Sequence, residues 1–118
     1  MSNPDIDPCL RFHFDYSKLR LQLDEELGLY HGIDFDDFAL LHWLASADGS
    51  PTALEAAAAG LAISRSALLR RLRPLEKIGL IECHGGVADR SITLRPPSLR
   101  LIKTAHDTVA SVWARHIA

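Results

Sequence analysis

A short alanine-rich helix is predicted from Pro51-Thr52 to about Ala59, a tight turn and a strongly basic segment follow it, and few folds accommodate that order. The turn is Leu61-Ala62-Ile63, and Ser64 is the predicted N-cap of a helix over 65–78 that Gly79 ends. Leu68, Leu72 and Leu75 give this helix an apolar side, while its other positions carry Arg65, Arg70, Arg71, Arg73 and Lys77. The pattern predicts a helix-turn-helix whose second helix is basic.

The elements on either side predict a wing and two long flanking helices. Strands are expected at 80–83 and 90–94, joined by the glycine-containing turn 84–88, which makes a hairpin. Apolar residues at steps of three and four predict helices over 10–30 and 99–117, with Ser98 as the cap of the last. A further helix follows Asp34, which with Asp37 matches a capping box. The fold class is mainly α, a winged helix-turn-helix with a two-stranded wing.

Basic charge is concentrated in one third of a chain whose net charge is −2. Residues 1–37 hold nine acids against three bases, whereas residues 61–103 hold nine bases against three acids. A single basic segment is typical of a domain with one phosphate-facing surface. The composition therefore favours double-stranded DNA as the partner.

The major groove admits one helix, so the first turn of the basic helix is expected to meet base edges. These residues are Ser64, Arg65, Ser66 and Ala67, with Arg65 as the candidate for bidentate contact with guanine. Arg70 and Arg71 are expected near phosphates and Arg73 nearer solvent. Arg90 on the hairpin is expected to reach the minor groove.

The two flanking helices carry apolar stripes that a domain of this size could hardly bury alone. We therefore expect them to form a homodimer, which would also set two recognition helices about one DNA turn apart. The predicted interface residues are Phe12, Tyr16, Leu19, Leu23, Ile102, Val109, Val112 and Trp113.

The stretch from Leu61 to Ile81 resembles the recognition-helix signature of MarR-type regulators, and the region 27–44 is similar to the helix that precedes it in that family. Asp89-Arg90 is similar to the family's wing motif, which implies that Asp89 buttresses Arg90. The resemblance implies a homodimeric transcriptional repressor that responds to small aromatic effectors. Candidate pocket residues are His13, Tyr16, Tyr30, His31 and Trp43. ArsR-type repressors, whose cysteine metal motif is missing here, rank second.

We expect a single domain over 1–118, with an irregular arm at 1–9, the DNA-binding lobe at 33–95 and a cytoplasmic location without a membrane segment. No enzyme motif, cofactor motif or metal-ligand spacing occurs, and His84 beside Cys83 is expected to be an ordinary histidine. Two alternatives remain. Cys9 could make the protein a redox-sensing regulator, or the winged helix could bind another protein and not DNA.

Overall fold

The computed structural model describes residues 3–47 and 49–118, so Met1 and Ser2 of the predicted arm lie outside the described residues. Five helices and three strands are present in this part of the chain. The helices are α1 (Asp7–His31), α2 (Phe35–Ala45), α3 (Leu54–Leu61), α4 (Arg65–Lys77) and α5 (Pro96–Ile117). The strands are β1 (Thr52–Ala53), β2 (Ile81–His84) and β3 (Ser91–Leu94). The order confirms a mainly helical winged helix-turn-helix.

Local capping chemistry defines the helices of the central lobe. The Asp34 carboxylate accepts a hydrogen bond from the Asp37 amide at 2.8 Å, and the Asp37 carboxylate accepts one from the Asp34 amide at 3.2 Å. This confirms the predicted capping box of α2. The Ser64 hydroxyl oxygen accepts the Ala67 amide at 3.1 Å, which confirms the predicted start of α4.

The outer helices begin earlier than predicted, because proline fits the first turn of a helix where its missing N–H is not needed. Helix α1 starts at Asp7, so most of the predicted irregular arm at 1–9 is either helix or a short lead into it. Helix α5 starts at Pro96, and Ser98 is not its N-cap. The Ser98 side chain is fully buried, and its hydroxyl donates to the Leu80 carbonyl.

The hairpin is part of a three-stranded antiparallel sheet in the order β1-β3-β2, where two strands were predicted. Thr52 and Cys83 lie on opposite sides of Ile92, which pairs with both. The extra strand, only two residues long, lies where α3 was expected to begin. It ties the start of the helix-turn-helix to the wing, and the Leu54 amide donates to the Arg90 carbonyl at 2.9 Å.

One core lies inside the lobe, and a smaller one lies where α1, α2 and α5 meet. The first contains Leu68, Leu72 and Leu75 of α4, packed against apolar residues of α2, α3 and the sheet. The second contains Leu27, Ile33, Phe38 and Ala105. No helix in the described residues is long and apolar enough to cross a membrane.

Part of the predicted dimer interface is protomer core. Leu23 and Val112 are buried within the single chain, so they cannot contact a partner as predicted. Ile102 and Val109 also pack against the cores, and Leu19 is half-buried. The error has a simple cause: α1 and α5 pack on each other, so each helix already uses one side of its stripe within the protomer. Phe12, Tyr16 and Trp113 remain exposed.

Candidate nucleic-acid interface

Helix α4 turns its basic side outward because three leucines hold the opposite side in the core. Ser64 and Ser66 are exposed at its start, and Ala67 is half-buried. Arg70 and Arg73 are exposed, and neither has an ion pair or a side-chain hydrogen bond in residues 3–47 and 49–118. These two arginines therefore present unneutralised charge on the outer surface of the helix.

Arg65 is less free than its position in the first turn suggests. Its guanidinium pairs with the Glu55 carboxylate of α3 and also donates to the Val87 carbonyl in the turn of the hairpin. The side chain is only 35% exposed. Arg65 thus links α3, α4 and the wing, a role that the sequence did not indicate because Glu55 was not recognised as its partner.

Arg71 does not face the phosphate side of α4, contrary to prediction. Its guanidinium donates to Asp34 at 2.8 and 2.9 Å, to Asp37 at 3.2 Å and to Asp36 at 3.1 Å. Arg20 of α1 extends this ion cluster through its 2.7 Å pair with Asp36. Position 71 lies about 100° from position 70 around the helix, which turns it toward the start of α2.

The ion cluster shifts the pKa values of its members in different directions. Burial would raise the pKa of Asp34, but hydrogen bonds from the Asp37 amide and from Arg71 outweigh it, so the pKa is lowered. For Asp37, burial dominates, the neighbouring Asp34 charge adds to it, and the pKa is raised. Burial would lower the pKa of Arg71, but its bonds to Asp34 and Asp37 raise it instead. The cluster is thus a charged contact between α2 and α4.

The wing turn is closed by Asp89. Its carboxylate accepts the Gly86 amide at 2.7 Å, and no contact between it and the Arg90 guanidinium occurs in the described chain. A side chain at Gly85 would lie 2.6 Å from the Asp89 carbonyl oxygen, and φ there is +84°. Asp89 is therefore a turn residue here, and the predicted Asp89–Arg90 buttress is wrong because the turn is too short to leave the carboxylate free.

A cleft of about 410 Å³ separates the outer side of α4 from the hairpin. Arg73 and Glu76 line it from the helix, and Cys83 and Arg90 line it from the strands. The Glu76 carboxylate is held by the Cys83 amide at 2.8 Å. Burial, with the Glu76 charge nearby, raises the pKa of the Cys83 thiol. The sequence did not predict this cleft, because its lining residues come from segments that meet only in the fold.

A second cavity, of about 520 Å³, lies between α2 and α5 beside the end of α3. Of the five predicted pocket residues, only Trp43 lines it; His42, His106 and Trp113 line it but were not predicted. Tyr16 instead lines a neighbouring cavity with Phe35 and Arg71. The other three predicted residues, His13, Tyr30 and His31, line neither cavity. The His31 ring forms a 2.7 Å hydrogen bond with the Thr108 hydroxyl.

The cysteines and the other polar groups form no further cluster. Cys9 is exposed in the first turn of α1, and Cys83 is half-buried, both as free thiols. His84 contacts the Thr93 hydroxyl at 3.1 Å. Across 3–47 and 49–118, no three histidine, cysteine or acidic side chains are grouped as metal ligands.

No protein-family model matches this sequence, and no curated protein matches it. Solved structures do match the fold. AbsC, a MarR family transcriptional regulator from Streptomyces coelicolor, is 20% identical with a TM-score of 0.82, over 98% of this chain and 81% of that one. CouR from Rhodococcus jostii RHA1, bound to p-coumaroyl-CoA, is 15% identical with a TM-score of 0.84, over 93% and 77%.

A mutant MarR from E. coli, complexed with operator DNA, is 21% identical with a TM-score of 0.80, over 94% of this chain and 81% of that one. The likeness thus extends over the lobe and both flanking helices. The chain has the fold of the MarR family transcriptional regulators.

Proposed function

We propose that this protein is a sequence-specific regulator of transcription that binds double-stranded DNA through α4. The observation that carries the proposal is the outward basic side of α4, where Arg70 and Arg73 have no acidic partner in the described residues. Unneutralised arginines on a helix that fits the major groove attract the phosphate backbone. A mutant MarR of the same fold is complexed with operator DNA, which supports DNA as the partner.

Sequence is read, in this proposal, by the first turn of α4. Ser64 and Ser66 are exposed there and can bond to base edges or phosphates. The Arg65 guanidinium can contact guanine only if it first leaves the Glu55 carboxylate and the Val87 carbonyl. An exposed ion pair contributes only about 0–1 kcal/mol, so a bidentate guanine contact of about 1–3 kcal/mol can replace it.

We propose a homodimer built on the apolar surface that the protomer leaves uncovered. Leu10, Phe14 and Leu21 of α1 and Ile6 at its N-cap are exposed at steps of four and seven, which places them along one side of the helix. On α5, Trp113 and Ile117 are exposed near the end of the helix. We propose that a second copy of the chain covers this surface, because a two-fold DNA site requires two lobes. Together with Phe12 and Tyr16, these residues form the proposed interface.

Occupation of a DNA site by the bound protein is sufficient for repression. We therefore propose repression, with release by a small aromatic effector in the cavity between α2 and α5. Rings line this cavity on both sides, those of Phe38 and Trp43 from α2 and those of His106 and Trp113 from α5. His42 adds a polar group. The volume of about 520 Å³ suits a small ligand. CouR holds an aromatic acyl-CoA on the same fold.

The test is selection from a pool of genomic duplex fragments at 50 and 200 mM salt. We expect the wild type to recover a pseudo-palindrome and to bind far more weakly at the higher salt. Arg65→Ala should lose selectivity, and Arg70→Ala should lose affinity for all fragments. Arg11→Ala removes one exposed charge from α1 and is the control.

Absence of DNA binding at 50 mM salt would overturn the proposal and favour a protein partner for the same fold. Binding that is equally reduced by the Arg11 and Arg70 substitutions would contradict the assignment of α4. In either case the oligomeric state, measured by sedimentation for the wild type and for Phe14→Glu, tests the homodimer by itself. A wild-type monomer would overturn the dimer.

A further inference from the structure

The cleft between α4 and the hairpin brings together two arginines that lack acidic partners. Arg73 projects from α4 and Arg90 from the strand side, and both line the same space of about 410 Å³. Neither has an ion pair in residues 3–47 or 49–118. Two guanidinium groups of like charge repel each other, and an anion between them removes that repulsion.

The acidic residue of the cleft, Glu76, forms no ion pair with either arginine in the described residues. The Glu76 carboxylate accepts the Cys83 amide at 2.8 Å, which directs it toward the strand. Leu69, Leu72 and Gly85 complete the lining of the cleft. Two of its walls thus carry an arginine that has no ion pair among the described residues.

The position of the cleft indicates which anion enters it. If α4 lies in the major groove and the hairpin lies against the adjacent minor groove, the sugar-phosphate strand that separates the two grooves must pass between them. That space is this cleft. Arginine binds phosphate oxygens in a bidentate manner, which suits two guanidinium groups on opposite walls.

We propose that Arg73 and Arg90 together clamp one backbone phosphate, so that Arg90 positions the protein on DNA and does not read the minor groove. The inference rests on the proposed function. It revises two expectations drawn from the sequence: Arg73 acts in binding, although it was expected nearer solvent, and Arg90 contributes affinity without base preference. A free phosphate has the same chemistry, and the experiment separates the two sources.

The first measurement is the salt dependence of binding to a mixed duplex pool for Arg73→Ala, Arg90→Ala and the double variant. Each neutralised phosphate contributes about 0.9 to the slope of log K against log salt. In the proposed homodimer the contact is lost from both protomers, so a shared phosphate predicts that the double variant lowers the slope by about 1.8, whereas two independent contacts per protomer predict about 3.6. Between 50 and 200 mM salt, a loss of 1.8 in slope corresponds to about a 12-fold smaller change in affinity.

The controls are Arg11→Ala, Arg100→Ala and their double variant, which remove exposed charges from α1 and α5. They should leave the slope near that of the wild type. A loss of about 3.6 in the Arg73 and Arg90 double variant, or a change in preference for A·T flanks caused by Arg90→Ala alone, overturns the clamp and leaves the proposed function intact.

A second measurement follows Cys83, which lies in the cleft, by its rate of alkylation in a Cys9→Ser background. Duplex DNA should slow the reaction, and Arg73→Ala with Arg90→Ala should remove that protection. If the wild type binds no DNA, the proposed function fails. Protection of Cys83 by inorganic phosphate alone would then identify the cleft as a site for a free anion, and the absence of protection by either probe overturns the site.

Discussion

Arg70 and Arg71 are neighbours on α4 with opposite roles, and exchanging each for methionine separates those roles. Methionine keeps the unbranched stem and a high helix propensity, so both changes remove one charge at similar cost to the helix. Arg71 holds three carboxylates at the start of α2. Arg70 has no partner within the described residues. We expect Arg71→Met to reduce stability and Arg70→Met to reduce DNA affinity.

The contacts of Arg71 give the magnitude. It donates four hydrogen bonds of 2.8–3.2 Å. An exposed pair contributes about 0–1 kcal/mol, and loss of one partner of a buried pair costs about 3–5 kcal/mol. The Arg71 side chain is 31% exposed and that of Asp37 is 19% exposed, which lies between these limits. We expect a loss of about 2 kcal/mol, or about 8 °C in Tm for a domain of this length.

The assay is urea unfolding and thermal melting at one fixed protein concentration, followed by the salt dependence of DNA binding for each variant. Arg70→Met should stay within about 0.5 kcal/mol of the wild type and, in the proposed dimer, should lower the salt slope by about 1.8. Equal destabilisation by the two variants would refute the reasoning. So would a loss of salt slope in Arg71→Met at a temperature where that variant is fully folded.

Three further perturbations test the packing and the charges. Gly60→Ala would put a methyl group 2.6 Å from the indole nitrogen of Trp43, so we expect a loss of about 1–3 kcal/mol and a changed tryptophan emission. Ser98→Ala leaves the Leu80 carbonyl with only the Arg95 amide as donor, and we expect urea unfolding to show a loss of about 1 kcal/mol. The lowered pKa of Asp34 means that its stabilising effect is present above about pH 4 and is lost as the pH falls below it, so Asp34→Asn should differ less from the wild type at pH 3 than at pH 6.

Matched changes serve as controls for the first two of these. Gly28→Ala lies inside α1 with no atom within 4 Å of the added methyl group, so it should stabilise the protein by about 0.5–1 kcal/mol. Ser111→Ala removes an exposed hydroxyl from α5 and should have little effect. Destabilisation by Gly28→Ala equal to that by Gly60→Ala would contradict the role given to Trp43.

Sequence reasoning succeeded where the determining interactions are local. The capping box of α2 joins residues three apart, and the Ser64 cap also joins residues three apart. It was less accurate where prolines occur, since Pro96 can end a strand or begin a helix, and only the packing of Ser98 beneath the sheet decides between them. The stripes on α1 and α5 were recognised, but the division between core and free surface depends on how the two helices cross.

The charges on α4 show the same limit with a measurable consequence. If all five arginines of α4 and the wing contacted phosphates, a dimer would have a salt slope of about −9. Folding places Glu55 beside Arg65 and three aspartates beside Arg71, from elements that are distant along the chain. In the proposed complex, Arg70 contacts one phosphate and Arg73 with Arg90 contacts another, which predicts a slope of about −3.6 for the proposed dimer. A measured slope near −9 would mean that Arg65 and Arg71 leave their acidic partners on DNA, and that the ion cluster between α2 and α4 opens when the protein binds.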